Sequence, residues 1–237
     1  MKETPFIHLR THSSFSLSEG ALKIKKIVDL AKSNMMPAIA LTDNNNLFGA
    51  LEFAIECSEN GIQPIIGSTI NILDYQEKEK ISQISLLVKS EKGYKNLLYL
   101  SSISHIKQDN VVGIKLQDLE NYSEDLICYI GGEFNPLLFL SNKKNNENIE
   151  KMILFFSKLF PDNFYFELQR IGDIEVENFE ETLLQLAQKF QIPIIATNNV
   201  KYESVDDYNA HDALLCIAQK TTINQENRIT SNTESYF

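Results

Sequence analysis

Long apolar runs are missing from this sequence. No stretch approaches the ~18 uninterrupted apolar residues that a membrane span requires, and the opening MKETPFIHLRTHSSFS contains no apolar region of the kind that begins a secreted protein. Membrane insertion and secretion are therefore not expected. Cysteine is scarce as well: Cys57, Cys128 and Cys216 lie far apart, show no CxxC spacing and fit reduced, buried thiols, which makes the cytoplasm the expected compartment. Positive charge is in deficit, with 22 basic residues against 32 acidic ones and a formal charge of −10. Such a chain repels a phosphate backbone and lacks the electrostatic footprint of duplex binding. No internal repeat of roughly 20 to 50 residues is visible.

What is present suffices for a substantial core: 237 residues, 43% of them hydrophobic, fit one α/β barrel or one large α/β domain. Short β-rich runs alternate with amphipathic stretches. PFIHLR reads as a strand, ALKIKKIVDLAKS as a helix and MPAIALTD as a strand; residues 47–59 follow as a helix, then IQPIIGSTINIL and ISLLVKS as strands and 93–102 as a helix. After a less regular stretch come DLICYIGG as strand, 148–160 as helix, NFYFELQR as strand, 176–190 as helix and IPIIATNN as strand. This βαβ grammar implies a parallel sheet, whose carboxyl ends collect ligand-binding side chains. His12, Asp43, Asn44, Thr69, Gln169 and residues 198–201 fall there. The polar run NKKNNENIE reads as a helix cap, and 219–237 as a lead into further chain.

Four segments carry most of the information. In HLRTHSSFSLSEG the period-2 alternation of a strand would set His8, Arg10 and His12 on one side, a row able to hold a metal or simply to form hydrogen bonds. ALTDNNNLFGALEF reads as strand, Asn-rich turn and helix, so Asp43 either faces a site or belongs to a turn. GIQPIIGSTINI offers Ser68 and Thr69 at a strand end, and IPIIATNNVKYESVDDYNAHDALLCI ends a strand at Asn198, Asn199 and Lys201 before a helix that starts after Asp206. His105 and His211 lie in helical segments where a structural role is the commoner one.

Taken in order, these segments resemble the PHP domain of bacterial polymerase III alpha subunits, with its HLHxHS-, TDHGNLFG-, GIKPIIG- and ATNDVHY…AHDALLCI-type motifs; LLVKSEKGYKNLLYLSS is similar as well, so the likeness runs from about Pro5 to Cys216. The resemblance implies a distorted (β/α)7 barrel of mostly parallel strands, with 1–218 as the PHP domain and 219–237 leading toward a polymerase body outside this sequence. In metal-binding members of the family the site holds up to three ions, often zinc or manganese, and hydrolyses phosphate esters.

Here most family ligand positions differ. Arg10 stands where the family has a histidine, Asn44 likewise, Thr69 replaces a glutamate, Asn199 an aspartate and Lys201 a histidine, while Glu19 substitutes for aspartate. A guanidinium has no lone pair to give a metal, and a protonated lysine is a poor ligand. Only His12, Glu19 and Asp43 remain as donors, so no catalytic residue, no bound metal and no cofactor are expected; zinc or manganese would enter only through an unexpectedly intact site. A pocket built around carboxylates still needs positive charge, so Arg10 or Lys201 is expected to pair with Asp43, Glu19 or Glu133. By resemblance, the partners are the polymerase body and the epsilon proofreading subunit, with DNA and magnesium engaged by the rest of the parent polymerase. The competing reading is a metal-dependent phosphoesterase, pyrophosphatase or 3′ to 5′ exonuclease.

Overall fold

A computed structural model describes residues 6–77, 80–106, 111–143, 145–226, 228–230 and 232–237. Pro5, where the first expected strand begins, lies outside them, as do Lys144 of the polar run and Asn227 and Ser231 of the C-terminal segment. The architecture is a mixed, curled sheet wrapped by helices. Its strands are β1 (Ala38–Leu41), β2 (Gln63–Glu77), β3 (Lys80–Val88), β4 (Leu126–Gly131), β5 (Phe164–Leu168) and β6 (Ile194–Ala196), neighbours in that order. β1 and β2 are parallel, as are β4 with β5 and β5 with β6. β3 runs antiparallel to both of its neighbours, because the link from β2 is too short for a crossover helix.

The segment expected as the first strand is irregular, yet it closes the barrel. Ala40 N donates to His8 O at 2.9 Å and Thr42 N to Thr11 O at 2.9 Å on one side; on the other, His12 N donates to Val200 O at 2.8 Å and Thr11 bridges Val200 in parallel. Residues 8–13 thus fill the gap between β1 and the chain just after β6.

The helices follow the hydrophobic pattern. In α1 (Ile24–Ser33) the buried residues Ile24, Ile27, Val28 and Ala31 recur at helical spacing, and with α2 (Ala50–Glu59) they pack over Ile39 and Leu41 of β1. α3 (Glu91–Ile106), α4 (Leu116–Tyr122), α5 (Pro136–Asn142), α6 (Asn146–Leu159) and α7 (Ile174–Phe190) build the larger core with β2 to β5. Asn145 caps α6 by accepting from Asn148 N at 3.3 Å, the role read from the polar run. Asp173 caps α7 by accepting from Glu175 N and Val176 N at 2.9 and 3.1 Å. A 3-10 turn, Val205–Asp207, leads into α8 (Tyr208–Gln219).

Inside the barrel, Leu9, Ala40, Leu87, Tyr129 and Ile195 form an apolar floor. The next inward positions toward the strand carboxyl ends, Thr42, Glu167 and Thr197, are polar and buried. Residues 219–237 turn back on the domain: Tyr236 bridges Tyr202 in parallel, Lys201 N donates to Ser235 O at 2.9 Å, and Arg228 donates to both oxygens of Asp212 at 2.7 and 2.6 Å.

Candidate functional site at the barrel mouth

Arg10 is 5% exposed and projects into the polar layer. Its Nη1 donates to Glu167 Oε2 at 2.7 Å, and its Nη2 reaches Gln83 Oε1 at 3.5 Å. Glu167, at the end of β5, is more deeply buried still. Its Oε1 accepts from Thr197 Oγ1 at 2.5 Å and from Gln169 Nε2 at 3.1 Å, so both carboxylate oxygens are occupied. Glu167 is absent from the candidates read from sequence. The signal was available: in FYFEL, the glutamate shares a strand face with Tyr165 that points into the barrel, where an unpaired charge is prohibitively costly.

The expected pairing of Arg10 with Asp43 or Glu19 does not occur. Asp43 is satisfied by neutral donors: Ser13 N at 2.7 Å and Ser16 Oγ at 2.6 Å reach Oδ1, and Ser13 Oγ at 2.7 Å reaches Oδ2. The SxxS spacing of Ser13 and Ser16 in THSSFS turns two hydroxyls back onto the carboxylate just past β1. Burial pushes the Asp43 pKa up, opposed by these hydrogen bonds. Glu19 Oε2 accepts from Asn44 Nδ2 at 2.6 Å. The other expected cation does find its acid, with Lys201 Nζ 3.6 Å from Glu133 Oε1.

His12 is sealed in place, with Nδ1 3.3 Å from Ser16 Oγ and Nε2 3.0 Å from Asn199 Oδ1. Burial holds its pKa well below the ordinary value, and the charges of Arg10 and Lys201 push it the same way, so the ring is neutral. Thr69 Oγ1 lies 3.1 Å from Ser85 Oγ and serves the β2–β3 pairing. His8 stands apart from this network: its ring packs against Phe6 and Phe237, with centroids at 5.0 and 4.5 Å. His105 and His211 have the structural roles expected of them, Nε2 lying 2.9 Å from Asn45 O and 2.6 Å from Glu19 O respectively.

Arg10, His12, Glu19, Asp43, Asn44, Asn199 and Lys201 therefore converge on one mouth, but most of their polar atoms are taken, by Glu167, Ser13, Ser16, Glu133 or one another; Asn44 Oδ1 alone among them is a buried lone-pair donor without a hydrogen-bond partner. Among the described residues, no three His, Cys, Asp or Glu side chains stand where they could share a metal ion. A divalent ion at the Glu167 carboxylate would meet the Arg10 guanidinium, so the residues present do not fit a metal cluster.

A family model for the PHP domain matches residues 8–171. DNA polymerase III subunit alpha of Rickettsia conorii is 42% identical over 240 residues, covering 98% of this chain and 20% of that protein. The subunit of Borreliella burgdorferi is 40% identical over 244 residues, with 98% and 21% covered. The chain thus spans about one fifth of the length of these curated relatives. Among solved structures, a Bifidobacterium adolescentis protein assigned as a metal-dependent phosphoesterase superposes with a TM-score of 0.56 at 10% identity, covering 81% of this chain and 86% of that one. An amidohydrolase from Chromobacterium violaceum, solved with bound sulfate and no metal, gives 0.53 at 14% identity, with 82% and 87% covered. The latter two likenesses concern the fold. The order of motifs, the barrel and the family match lead to one conclusion: the chain belongs to the PHP domain family, in the branch carried by bacterial DNA polymerase III alpha subunits.

Proposed function

We propose that this PHP domain is a non-catalytic scaffold and docking module of a replicative DNA polymerase, acting in the cytoplasm, with its polar mouth held together by side-chain cations in place of metal ions. The observation that carries the reading is the buried Arg10–Glu167 pair, 2.7 Å long, set among Thr197, Gln169 and Gln83 where a catalytic cluster would need free lone pairs. With both ring nitrogens of His12 hydrogen-bonded in an enclosed site and Asp43 held by serine donors, neither a general base nor a metal-activated water has a place to act. Template-directed synthesis, with its magnesium and its contacts to DNA, belongs on this reading to the remaining four fifths of a polypeptide like its relatives. An acidic domain of charge −10 suits protein partners, the polymerase body and the epsilon proofreading subunit, better than nucleic acid.

Metal analysis of protein purified without chelators, joined to a phosphoester hydrolysis assay with added manganese or zinc, tests this. The expected result is substoichiometric metal and no turnover. Stoichiometric metal with hydrolysis that His12→Ala abolishes would establish the phosphoesterase instead.

A further inference from the structure

Every strand of a barrel in this class needs cover on its outer face, and β1 to β5 have it, from α1 and α2 on one side and α3 to α7 on the other. β6 differs. Ile195 points inward to the apolar floor, which puts Ile194 and Ala196 on the outside by strand alternation. Both are exposed, Ile194 at 41%, together with Pro193. Among the described residues, the chain leaving β6 returns only to the edge of this face, at Glu234 and Tyr236, while α8 docks elsewhere, with His211 against the Glu19 carbonyl. The result is a groove along β6, bounded by α7 at Leu184 and Gln188 and by the C-terminal segment at Glu234 and Tyr236. Its α7 bank carries Glu177 and Glu181, both exposed, while the one cation among the described residues of this rim, Arg170, is already ion-paired with Glu180 at 2.9 Å, which leaves the bank acidic.

We propose that this groove seats an amphipathic helix with basic flanks, supplied by the part of the polypeptide that the fivefold longer relatives carry in addition to this domain. The charge fits, since the floor is apolar, the rim is acidic, and a body that grips DNA must be rich in Lys and Arg. This inference rests on the scaffold reading for its partner, while its own evidence is the uncovered strand.

The test is thiol accessibility. Native Cys57, Cys128 and Cys216 are buried, so in the 237-residue chain a new surface cysteine reports alone, and in the longer proteins the label is read on the peptide that carries the new cysteine. The Ala196→Cys variant is labelled with a maleimide in the 237-residue chain and in a chimaera in which that chain replaces the matching 240 residues of the Rickettsia conorii subunit. Met35→Cys, at a position 83% exposed just after α1 and outside the residues that line the groove, is the control. The expected result is that the thiol introduced by Ala196→Cys is labelled about tenfold or more slowly in the chimaera, with the control unchanged. Should the chimaera fail to extend a primer, the cysteine goes instead into the aligned position of the intact Rickettsia subunit, with the same expectation. Equal labelling in both contexts overturns the proposal. So does slowing that grows with concentration in the isolated chain, which would make a second copy the occupant. Failure here leaves the metal and hydrolysis result untouched, and the reverse also holds.

Discussion

Arg10 and Glu167 are each almost without solvent contact, so neither can lose its partner cheaply. Arg10→Met should destabilise the domain by about 3–5 kcal/mol, because a carboxylate is left buried and unpaired, whereas Arg10→Met with Glu167→Gln should recover most of that loss. Urea unfolding of the two variants measures both. His8 gives a second prediction. Burial lowers its pKa from 6.5 to about 4, so between those values the unfolded chain takes up a proton that the folded chain refuses. Stability is then full above pH 6.5 and falls as pH drops toward 4, by up to about 3 kcal/mol. His12 and His211, also shifted down, act in the same sense, so His8→Gln should flatten the fall without removing it. Urea midpoints from pH 7 to 4 for both proteins supply the measurement. At this scale the sequence discloses which positions carry charge but not which partner each will choose. Lys201–Glu133 was legible and Arg10–Glu167 was not, since choosing between acids tens of residues apart requires knowing that β5 and residues 8–13 face each other across the barrel.

Gly131 shows how the strands depend on one another. It lies opposite Glu167 in the β4–β5 pairing, and a Cβ there would collide with the Glu167 carbonyl oxygen and Cβ. Gly131→Ala should cost about 2–3 kcal/mol by forcing the strands apart at the residue that holds Arg10. Hydrogen exchange should show faster opening of the β4 and β5 amides, and unchanged rates would refute the argument. Helices with a clear apolar stripe, such as α1 and α7, were readable in advance. α4 and α5 were not: each has only seven residues, and α5 is buried from Pro136 to Leu140, which removes the one-sided pattern that marks a helix. The reversal of β3 was hidden for another reason, as strand direction follows from the length of a connection and not from alternation. The irregular path of residues 8–13 likewise follows from bonding to β1 on one side and Val200 on the other.

Across the whole molecule, the C-terminal segment is tied to the barrel by side chains from both ends of the site region. Tyr202 Oη donates to Asn232 O at 2.8 Å and Asn198 Nδ2 to Tyr236 O at 2.7 Å, while Phe237 packs on the α1–α2 core. Ending the chain at residue 218 should therefore lower the thermal midpoint and expose Tyr202, which is 1% exposed with the segment in place. A melt of the two lengths, followed by tyrosine fluorescence, decides it; identical curves would mean that the segment merely rests on the surface. The sequence marks 219–237 as polar and weakly patterned, and a segment held by its backbone carbonyls together with isolated anchors such as Arg228 and Phe237 leaves just such a faint, aperiodic trace.

The Arg10–Glu167 contact bears finally on how the domain is made. A guanidinium is put in place by the ribosome and arrives with the chain, so the charge opposite Glu167 is present from the first folded moment. That balance needs no loading step and no chaperone for an inorganic ion, and it holds in a cell starved of zinc as well as in one replete with it.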